Sequence, residues 1–106
     1  MSRMKAAALC LSSLALLPLA ASAQDKEQLY LRSTAASCAQ CHGTDGRAAE
    51  GSAVPGLAGM AAPYMVAQLQ AFKTGARPAT VMHQLAKGYS DAQIAQLATY
   101  FAAQKK

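Results

Sequence analysis

The stretch C-A-Q-C-H at residues 38–42 constrains this chain more than any other feature. Cys38 and Cys41 are separated by two residues, and His42 follows directly. On one turn of a helix, two sulfurs at this spacing reach the two vinyl groups of a porphyrin, and the histidine then lies under the iron. The spacing therefore predicts one covalent haem c, attached through Cys38 and Cys41, with His42 as an axial ligand of the haem iron.

Two other chemistries use a C-x-x-C pair. A thioredoxin-like dithiol lies among alternating strands and helices, and no segment of this sequence alternates as a strand does. A structural zinc site takes four ligands in a tetrahedron. His83 is an available third ligand beside Cys38 and Cys41, but a fourth is hard to find, because His42 is fixed next to Cys41. Haem attachment therefore explains the motif better than either alternative.

The first 23 residues have the pattern of a secretory signal peptide. Two basic residues precede an apolar stretch at residues 6–19, and A-S-A at residues 21–23 is a small-residue cleavage signal. An uncleaved membrane anchor is the alternative, but the stretch is shorter than the roughly 18 residues that a spanning helix needs. We expect cleavage after Ala23, export to the periplasm, and a mature domain at residues 24–106 with no membrane span.

The mature chain is short for a self-sufficient domain. Cys10 leaves with the signal peptide, so Cys38 and Cys41 are the remaining cysteines. A domain of this size buries only about 60% of the surface of its unfolded chain, and is marginal without a disulfide, metal or cofactor. We therefore expect the haem to complete the hydrophobic core.

Local signals predict an all-helical domain. Asp25, with Gln28 three residues on, is placed to cap a first helix that runs towards the cysteines. Pro63 and Gly75 mark the two ends of a second helix. The intervening stretch, roughly residues 43–62, has the composition of a loop.

The last helix has the clearest start. Ser90 and Gln93 form a capping box. The residues that follow place an apolar face at helical spacing, made by Ile94, Leu97, Ala98 and Phe101. The form of residues 79–87 stays open.

Several stretches carry a resemblance to a known family. They are C-A-Q-C-H-G-T-D-G, Q-L-Q-A-F-K-T-G, and R-P-A-T-V-M-H-Q-L-A-K-G-Y-S-D with A-T-Y-F-A-A-Q. In them the chain resembles the class I c-type cytochromes, and more narrowly the cytochrome subunit of flavocytochrome c sulfide dehydrogenase and its short single-haem relatives. The resemblance implies an all-α fold of three to five helices around one covalent haem. Some of those subunits have two haem domains, whereas this chain has one C-x-x-C-H and matches one such domain.

The same resemblance implies the second axial ligand. In that family the methionine of P-A-T-V-M binds the iron, and here it is Met82. Met60 in the loop and Met65 on the second helix remain candidates, although a methionine on an apolar helix stripe usually fills the core. His83 is the other rival, and a bis-histidine site would have a lower reduction potential.

An iron-bound histidine also needs an acceptor for its second ring nitrogen. A backbone carbonyl in the Pro55-Gly56 region is a candidate for the free N–H of His42, and a purely structural role of this loop is equally compatible with the sequence.

A haem iron with two protein ligands has no position left for substrate, so such a site exchanges electrons. The resemblance implies the electron-accepting subunit of flavocytochrome c sulfide dehydrogenase, bound to its flavoprotein subunit. The alternatives are a free soluble electron carrier to an oxidase or another cytochrome, and a ligand-binding haem protein. No catalytic residue is assigned, and no basic stretch interleaved with aromatics points to nucleic acid.

Positive charge concentrates in the C-terminal half of the chain. It comes from Lys73, Arg77, Lys87, Lys105 and Lys106. These side chains either steer an acidic redox partner or form a solvated surface.

Overall fold

The computed structural model of this chain describes residues 17–106, with side chains from residue 22 onward. This part of the chain forms four α-helices and no strand: α1 (Leu17–His42), α2 (Ala62–Thr74), α3 (Met82–Lys87) and α4 (Asp91–Ala102). A 3₁₀ turn at Thr44–Gly46 follows α1. The prediction of an all-α domain with three to five helices is therefore confirmed.

The chain divides into two units, Met1–Tyr30 and Leu31–Lys106. In the first unit the backbone is helical from Leu17 onward, and the side chains of residues 22–30 are exposed. Most of the predicted signal peptide lies outside the described residues. The second unit contains the C-x-x-C-H motif and the other three helices.

The structure does not begin α1 at Asp25, where the sequence predicts its start in the mature chain. The helix begins at Leu17, and Asp25 lies in its interior. The residues before Asp25 include Leu, Ala and Gln, which favour helix, so the backbone continues through a residue that would otherwise cap it. The predicted cleavage point after Ala23 lies within this helix.

The predicted boundaries of α2 are confirmed to within a residue. Pro63 lies in the first turn, where its missing N–H costs no hydrogen bond. Gly75 ends the helix in the left-handed region at φ 82°, and its N–H donates to the carbonyl oxygen of Phe72 at 3.2 Å. Glycine adopts this conformation without a Cβ penalty, which is why the helix stops there.

Helix α3 occupies most of the segment whose form the sequence left open. It starts at Met82 after Val81, which provides no side-chain cap. A six-residue helix without a cap is not stable on its own, and α3 packs against α2. Tertiary contact therefore stabilises it.

Helix α4 begins with the predicted capping box. The backbone N–H of Gln93 donates to Ser90 Oγ at 3.2 Å, and the backbone N–H of Ser90 donates to Gln93 Oε1 at 2.9 Å. These two bonds satisfy donors that a helix start leaves unpaired, and α4 packs against α2.

The hydrophobic core is small and draws on three helices. Its buried cluster consists of Ala35 from α1, Met65 from α2, and Leu97, Ala98 and Phe101 from α4. The predicted apolar face of α4 is buried, as expected. No buried polar or charged residue occurs in the described part of the second unit. Because Ala35 precedes Cys38 by one helical turn, this core fixes the position of the C-x-x-C-H motif.

Between residues 17 and 106, no helix has the length and apolar character that crossing a membrane requires.

Candidate functional site

The C-x-x-C-H motif forms the last turn of α1. Residues three apart are neighbours on a helix surface, so Cys38 and Cys41 lie on one side of this turn. Cys38 is half-buried against the core and Cys41 is exposed, and neither forms a disulfide within the described residues. Burial raises the pKa of the Cys38 thiol. This arrangement is the one that the spacing predicts for two attachment sulfurs.

The helix ends at His42, and the next residues turn the chain sharply. Gly43 has φ 85° and its N–H donates to the carbonyl oxygen of Ala39 at 2.9 Å. The 3₁₀ turn that follows contains Asp45, the one non-glycine residue of the described chain at positive φ (53°). Aspartate tolerates this conformation better than most residues. The chain therefore leaves His42 at once and folds back beside it.

The imidazole of His42 is held by a backbone carbonyl. Its Nδ1 lies 2.6 Å from the carbonyl oxygen of Pro55. A carbonyl oxygen only accepts, so Nδ1 donates and the lone pair is on Nε2. Of the two loop residues considered from the sequence, Pro55 provides the acceptor. This tautomer is the one in which Nε2 is available to a metal.

The position of Pro55 depends on Gly46. The carbonyl oxygen of Gly46 accepts the N–H groups of Leu57 and Ala58 at 2.8 and 3.1 Å. Gly46 is buried at φ 78°, and a Cβ there would lie 2.8 Å from the nitrogen of Ala58. Sequence reasoning did not single out Gly46, although the pair Asp45-Gly46 is a standard turn signal.

The three methionines of the second unit lie in different surroundings. Met65 is 3% exposed in the core cluster, and Met60 packs against that cluster. Met82 is half-buried at the start of α3. Its neighbours Val81 and Leu85 are each 49% exposed, so the surface around Met82 is apolar. Of the three thioethers, that of Met82 has the surroundings most suited to a large apolar group.

His83 lies on a different face of α3 from Met82. Successive helical residues are rotated by about 100°. His83 lines a pocket with Arg77 and Lys87, and its Nδ1 is buried without a hydrogen-bond partner in the described residues. This position separates His83 from the apolar surface beside Met82.

A polar network connects α1 to the turn between α3 and α4. The hydroxyls of Ser37 and Tyr89 share a hydrogen bond of 2.9 Å. Lys73 donates to the carbonyl oxygen of Tyr89 at 2.7 Å and to Asp91 at 3.0 Å, and Gln70 donates to the same carboxylate at 2.9 Å. Sequence reasoning missed this network, which fixes the residue next to Cys38.

A second network connects the 3₁₀ turn to the C-terminal end of the chain. The hydroxyl of Tyr100 donates to Asp45 at 2.6 Å, and Arg47 donates to the other carboxylate oxygen at 3.4 Å and to the carbonyl oxygen of Lys105 at 2.9 Å. The bond from Tyr100, with a smaller effect from Arg47, lowers the pKa of Asp45. The same bond raises the pKa of Tyr100. The sequence positions of Asp45 and Tyr100 did not indicate that these two residues form a hydrogen bond.

The residues around the motif fit a covalent haem. Cys38 and Cys41 lie on one side of one turn without a disulfide between them, and Nε2 of His42 retains its lone pair. Large apolar side chains near Met82 are half exposed, and Tyr64 is 54% exposed. The buried core is rich in alanine and contributes little apolar area for its number of residues. Such a domain has both the attachment groups and the apolar surface that a porphyrin needs.

Comparison with known proteins identifies the family. A family model described as cytochrome c matches residues 28–105, most of the chain.

The chain belongs to the cytochrome c family.

This cytochrome therefore carries covalently bound haem c, and the C-x-x-C spacing of Cys38 and Cys41 is the one that haem attachment uses. Its class of activity is electron transfer. Three or more His, Cys, Asp or Glu side chains do not come together as a metal cluster anywhere in the described residues, so the zinc alternative has no ligand set in that part of the chain.

Several relatives are similar over the same region. The cytochrome subunit of sulfide dehydrogenase from Chlorobaculum tepidum is 45% identical over 65 residues, which cover 61% of this chain and 57% of that protein. The thiosulfate dehydrogenase electron acceptor from Thiomonas intermedia is 45% identical over 67 residues, 63% of this chain and 31% of the relative. Cytochrome c-554(548) from Halomonas halodenitrificans is 36% identical over 72 residues, 65% of this chain and 86% of the relative. The cytochrome thus spans little more than half of the first relative and about a third of the second.

Proposed function

We propose that this cytochrome is exported to the periplasm and accepts electrons, one at a time, as the cytochrome subunit of a sulfide-oxidising flavoprotein. The observation that carries the electron-transfer part is the hydrogen bond between His42 Nδ1 and the Pro55 carbonyl, next to two cysteines on one helical turn that no disulfide joins. The partner is supported by the 45% identity to the sulfide dehydrogenase subunit of Chlorobaculum tepidum.

In this proposal four side chains hold the cofactor. Cys38 and Cys41 would form the thioether links, and His42 and Met82 would bind the iron through Nε2 and Sδ. When bound, the haem supplies an iron that takes up and releases one electron. With both side chains on the iron, no open position would be left for a substrate, and Pro55 would keep the ring of His42 in one orientation.

The relative exposure of the methionines supports the choice of Met82. To bind the iron, Met65 would have to leave the buried cluster, which costs about 2–5 kcal/mol for a side chain of this size. Met60 packs against the same cluster. Met82 needs no such rearrangement, since it lies beside half-exposed apolar residues at the start of α3.

A test of the partner mixes the purified holoprotein with a sulfide dehydrogenase flavoprotein and sulfide, and follows haem reduction by stopped-flow absorbance. Sulfide is itself a reductant, so the control omits the flavoprotein. We expect flavoprotein-dependent reduction that changes little between low and moderate salt, because a tight apolar contact is screened less than exposed charges. Reduction at the same rate without the flavoprotein would contradict the proposed partner.

A free carrier is the second candidate, and the exposed cations favour it. Arg77, Lys87, Lys105 and Lys106 are all exposed, whereas Lys73 is half-buried and bonded to Asp91. Charges of this kind accelerate encounters with an acidic partner, and their effect falls with ionic strength. Rapid exchange with an oxidase or another cytochrome that slows steeply with salt, without copurification of a flavoprotein, would favour this candidate.

Export has its own test. The proposal is that residues 1–23 are removed, so the protein isolated from periplasmic extract should begin at Gln24. N-terminal sequencing decides between that result and an intact N-terminus in the membrane fraction, which would indicate an uncleaved anchor.

A further inference from the structure

A cavity of about 260 Å³ lies where the C-terminal end of α2, the loop after it and α3 meet. Its walls include Phe72 from α2, Arg77 from the loop, and His83 and Lys87 from α3. The volume is several times the roughly 30 Å³ that one water molecule occupies in the liquid. The cavity is therefore large enough for a small ligand.

Among the described residues, the cavity has a positive charge that no lining carboxylate neutralises. Arg77 and Lys87 line it, and neither Asp nor Glu does. The nearest carboxylate in sequence, Asp91, is bonded to Lys73 and Gln70. Two cations that share a concave site without a counter-ion attract an anion.

Two contacts fix the orientation of the Arg77 guanidinium. Its Cζ lies 4.7 Å from the centre of the Phe72 ring, and its Nη1 donates to Oε1 of Gln68. The guanidinium has five N–H donors in a fixed fork, and Gln68 uses one of them. Stacking on an aromatic ring fixes the plane of the fork, so less conformational entropy is lost when further hydrogen bonds form.

The cavity is separate from the surface around Met82. His83 and Lys87 are four residues apart and share one face of α3. Met82 and Leu85 share another face, three residues apart, beside half-exposed apolar side chains. The α3 residues that line the cavity therefore face away from Met82.

We propose that this cavity binds a small inorganic oxyanion of the sulfate or phosphate type, bridging the Arg77 guanidinium and the Lys87 ammonium. An oxyanion accepts several charge-assisted hydrogen bonds at once, so it can bind the guanidinium of Arg77 and the ammonium of Lys87 together. The bridge joins the loop before Met82 to α3 itself. Anion binding thus stabilises the segment that presents Met82.

The test titrates the reduced holoprotein with sodium sulfate while sodium chloride keeps the ionic strength constant. Binding is followed by ¹H–¹⁵N spectra, and thermal midpoints are measured at the same concentrations. We expect saturable shifts at Arg77 and Lys87 and a rise of the midpoint that saturates with them. A linear response with no saturation is the general stabilisation by sulfate and would overturn the proposal.

Two variants with the same charge change give the control. Lys87→Gln removes one wall of the cavity, whereas Lys105→Gln removes an exposed lysine elsewhere. We expect Lys87→Gln to weaken sulfate binding by about tenfold, and Lys105→Gln by less than twofold. Arg77→Gln is a second cavity variant. Because Arg77 also contacts Phe72 and Gln68, its circular dichroism must match that of the parent. Lys87 is exposed, so we expect its replacement to leave the fold unchanged. Equal weakening by Lys87→Gln and Lys105→Gln would contradict a site in this cavity.

Discussion

Nδ1 of His42 donates a hydrogen bond of 2.6 Å to the carbonyl oxygen of Pro55, 13 residues later in the chain. The bond joins the last residue of α1 to the loop before α2. Because the loop also bonds to Gly46 through Leu57 and Ala58, the orientation of His42 depends on how this short turn packs. The proposed axial ligand is thus positioned by backbone groups that a change of side chain at Pro55 would not remove.

Replacement of Met82 should open the second axial position. We expect Met82→Ala to retain covalent haem, to lose the methionine-to-iron charge-transfer band in the ferric state, and to bind carbon monoxide when reduced. The measurement is visible and near-infrared absorption with and without carbon monoxide. Met65→Leu, a change of similar volume in the core, is the control and should keep the parental spectrum. An unchanged spectrum in Met82→Ala would exclude Met82 and favour Met60 or His83.

Gly46, whose carbonyl bonds to the loop that contacts His42, should not tolerate substitution. Gly46→Ala adds a Cβ at φ 78° that would lie 2.9 Å from Cδ1 of Phe101, so we expect the free energy of unfolding to fall by at least about 2 kcal/mol. Gly51→Ala is the matched control, because it has φ 75° but no atom within 4 Å of the added Cβ, and should lose about 1 kcal/mol. Guanidinium denaturation of the holoproteins measures both values. Equal losses would show that the close approach at Gly46 has no energetic effect.

The hydrogen bond between Ser37 and Tyr89 should contribute modestly to stability. Tyr89→Phe removes the hydroxyl 2.9 Å from Ser37 Oγ, and we expect a loss of about 0.5–1.5 kcal/mol in the free energy of unfolding. Ser37→Ala should cost a similar amount, and the double variant should cost less than the sum of the two, because they remove the same bond. Strict additivity in this double-mutant cycle would contradict the contact. Tyr64→Phe, at an exposed tyrosine, controls for loss of a hydroxyl as such.

Acid stability should depend on Asp45. The hydrogen bond from Tyr100 holds its pKa below the ordinary value, so the folded protein binds fewer protons there than the unfolded chain does. This stabilisation is present above about pH 4, where an unfolded aspartate is ionised, and is lost as pH falls through the lowered pKa. We expect Asp45→Asn and Tyr100→Phe both to flatten the pH dependence of stability between about pH 5 and pH 2. The measurement is the denaturation midpoint as a function of pH.

Asp91 provides the comparison for this pH dependence. Hydrogen bonds from Gln70 and then Lys73 lower its pKa in the same direction. Asp91→Asn should therefore remove a second, separate part of the acid dependence, and the two variants should combine additively. If Asp45→Asn leaves the acid limb as steep as in the parent, the bond to Tyr100 does not contribute to folding.

Sequence reasoning succeeded where the signal was local. The two ends of α2 at Pro63 and Gly75 and the start of α4 at Ser90 were predicted, because each of these signals depends on residues within one helical turn. The start of α1 was missed because Asp25 has the residue type of a cap but lies in a stretch that is helical on both sides. Helix α3 stayed open because its stability comes from packing against α2 and not from its own six residues.

The same distinction applies to the site. C-x-x-C-H spans five residues, so its position on one helical turn was predictable. The acceptor of His42 was narrowed to Pro55 and Gly56, and the structure gives Pro55. The partners Ser37 and Tyr89 are 52 residues apart, and Asp45 and Tyr100 are 55 apart. No local pattern joins residues at such distances, and they are brought together only by the packing of the helices.

The position of the haem is tested most directly by peptide mass analysis of the purified protein. Trypsin cleaves after Arg32 and Arg47, so one peptide contains Cys38, Cys41 and His42. We predict that, after treatment with an alkylating reagent, this peptide has the mass of the unmodified peptide plus one haem, and that neither cysteine is alkylated. Recovery of the peptide with both cysteines alkylated and no haem would contradict the account.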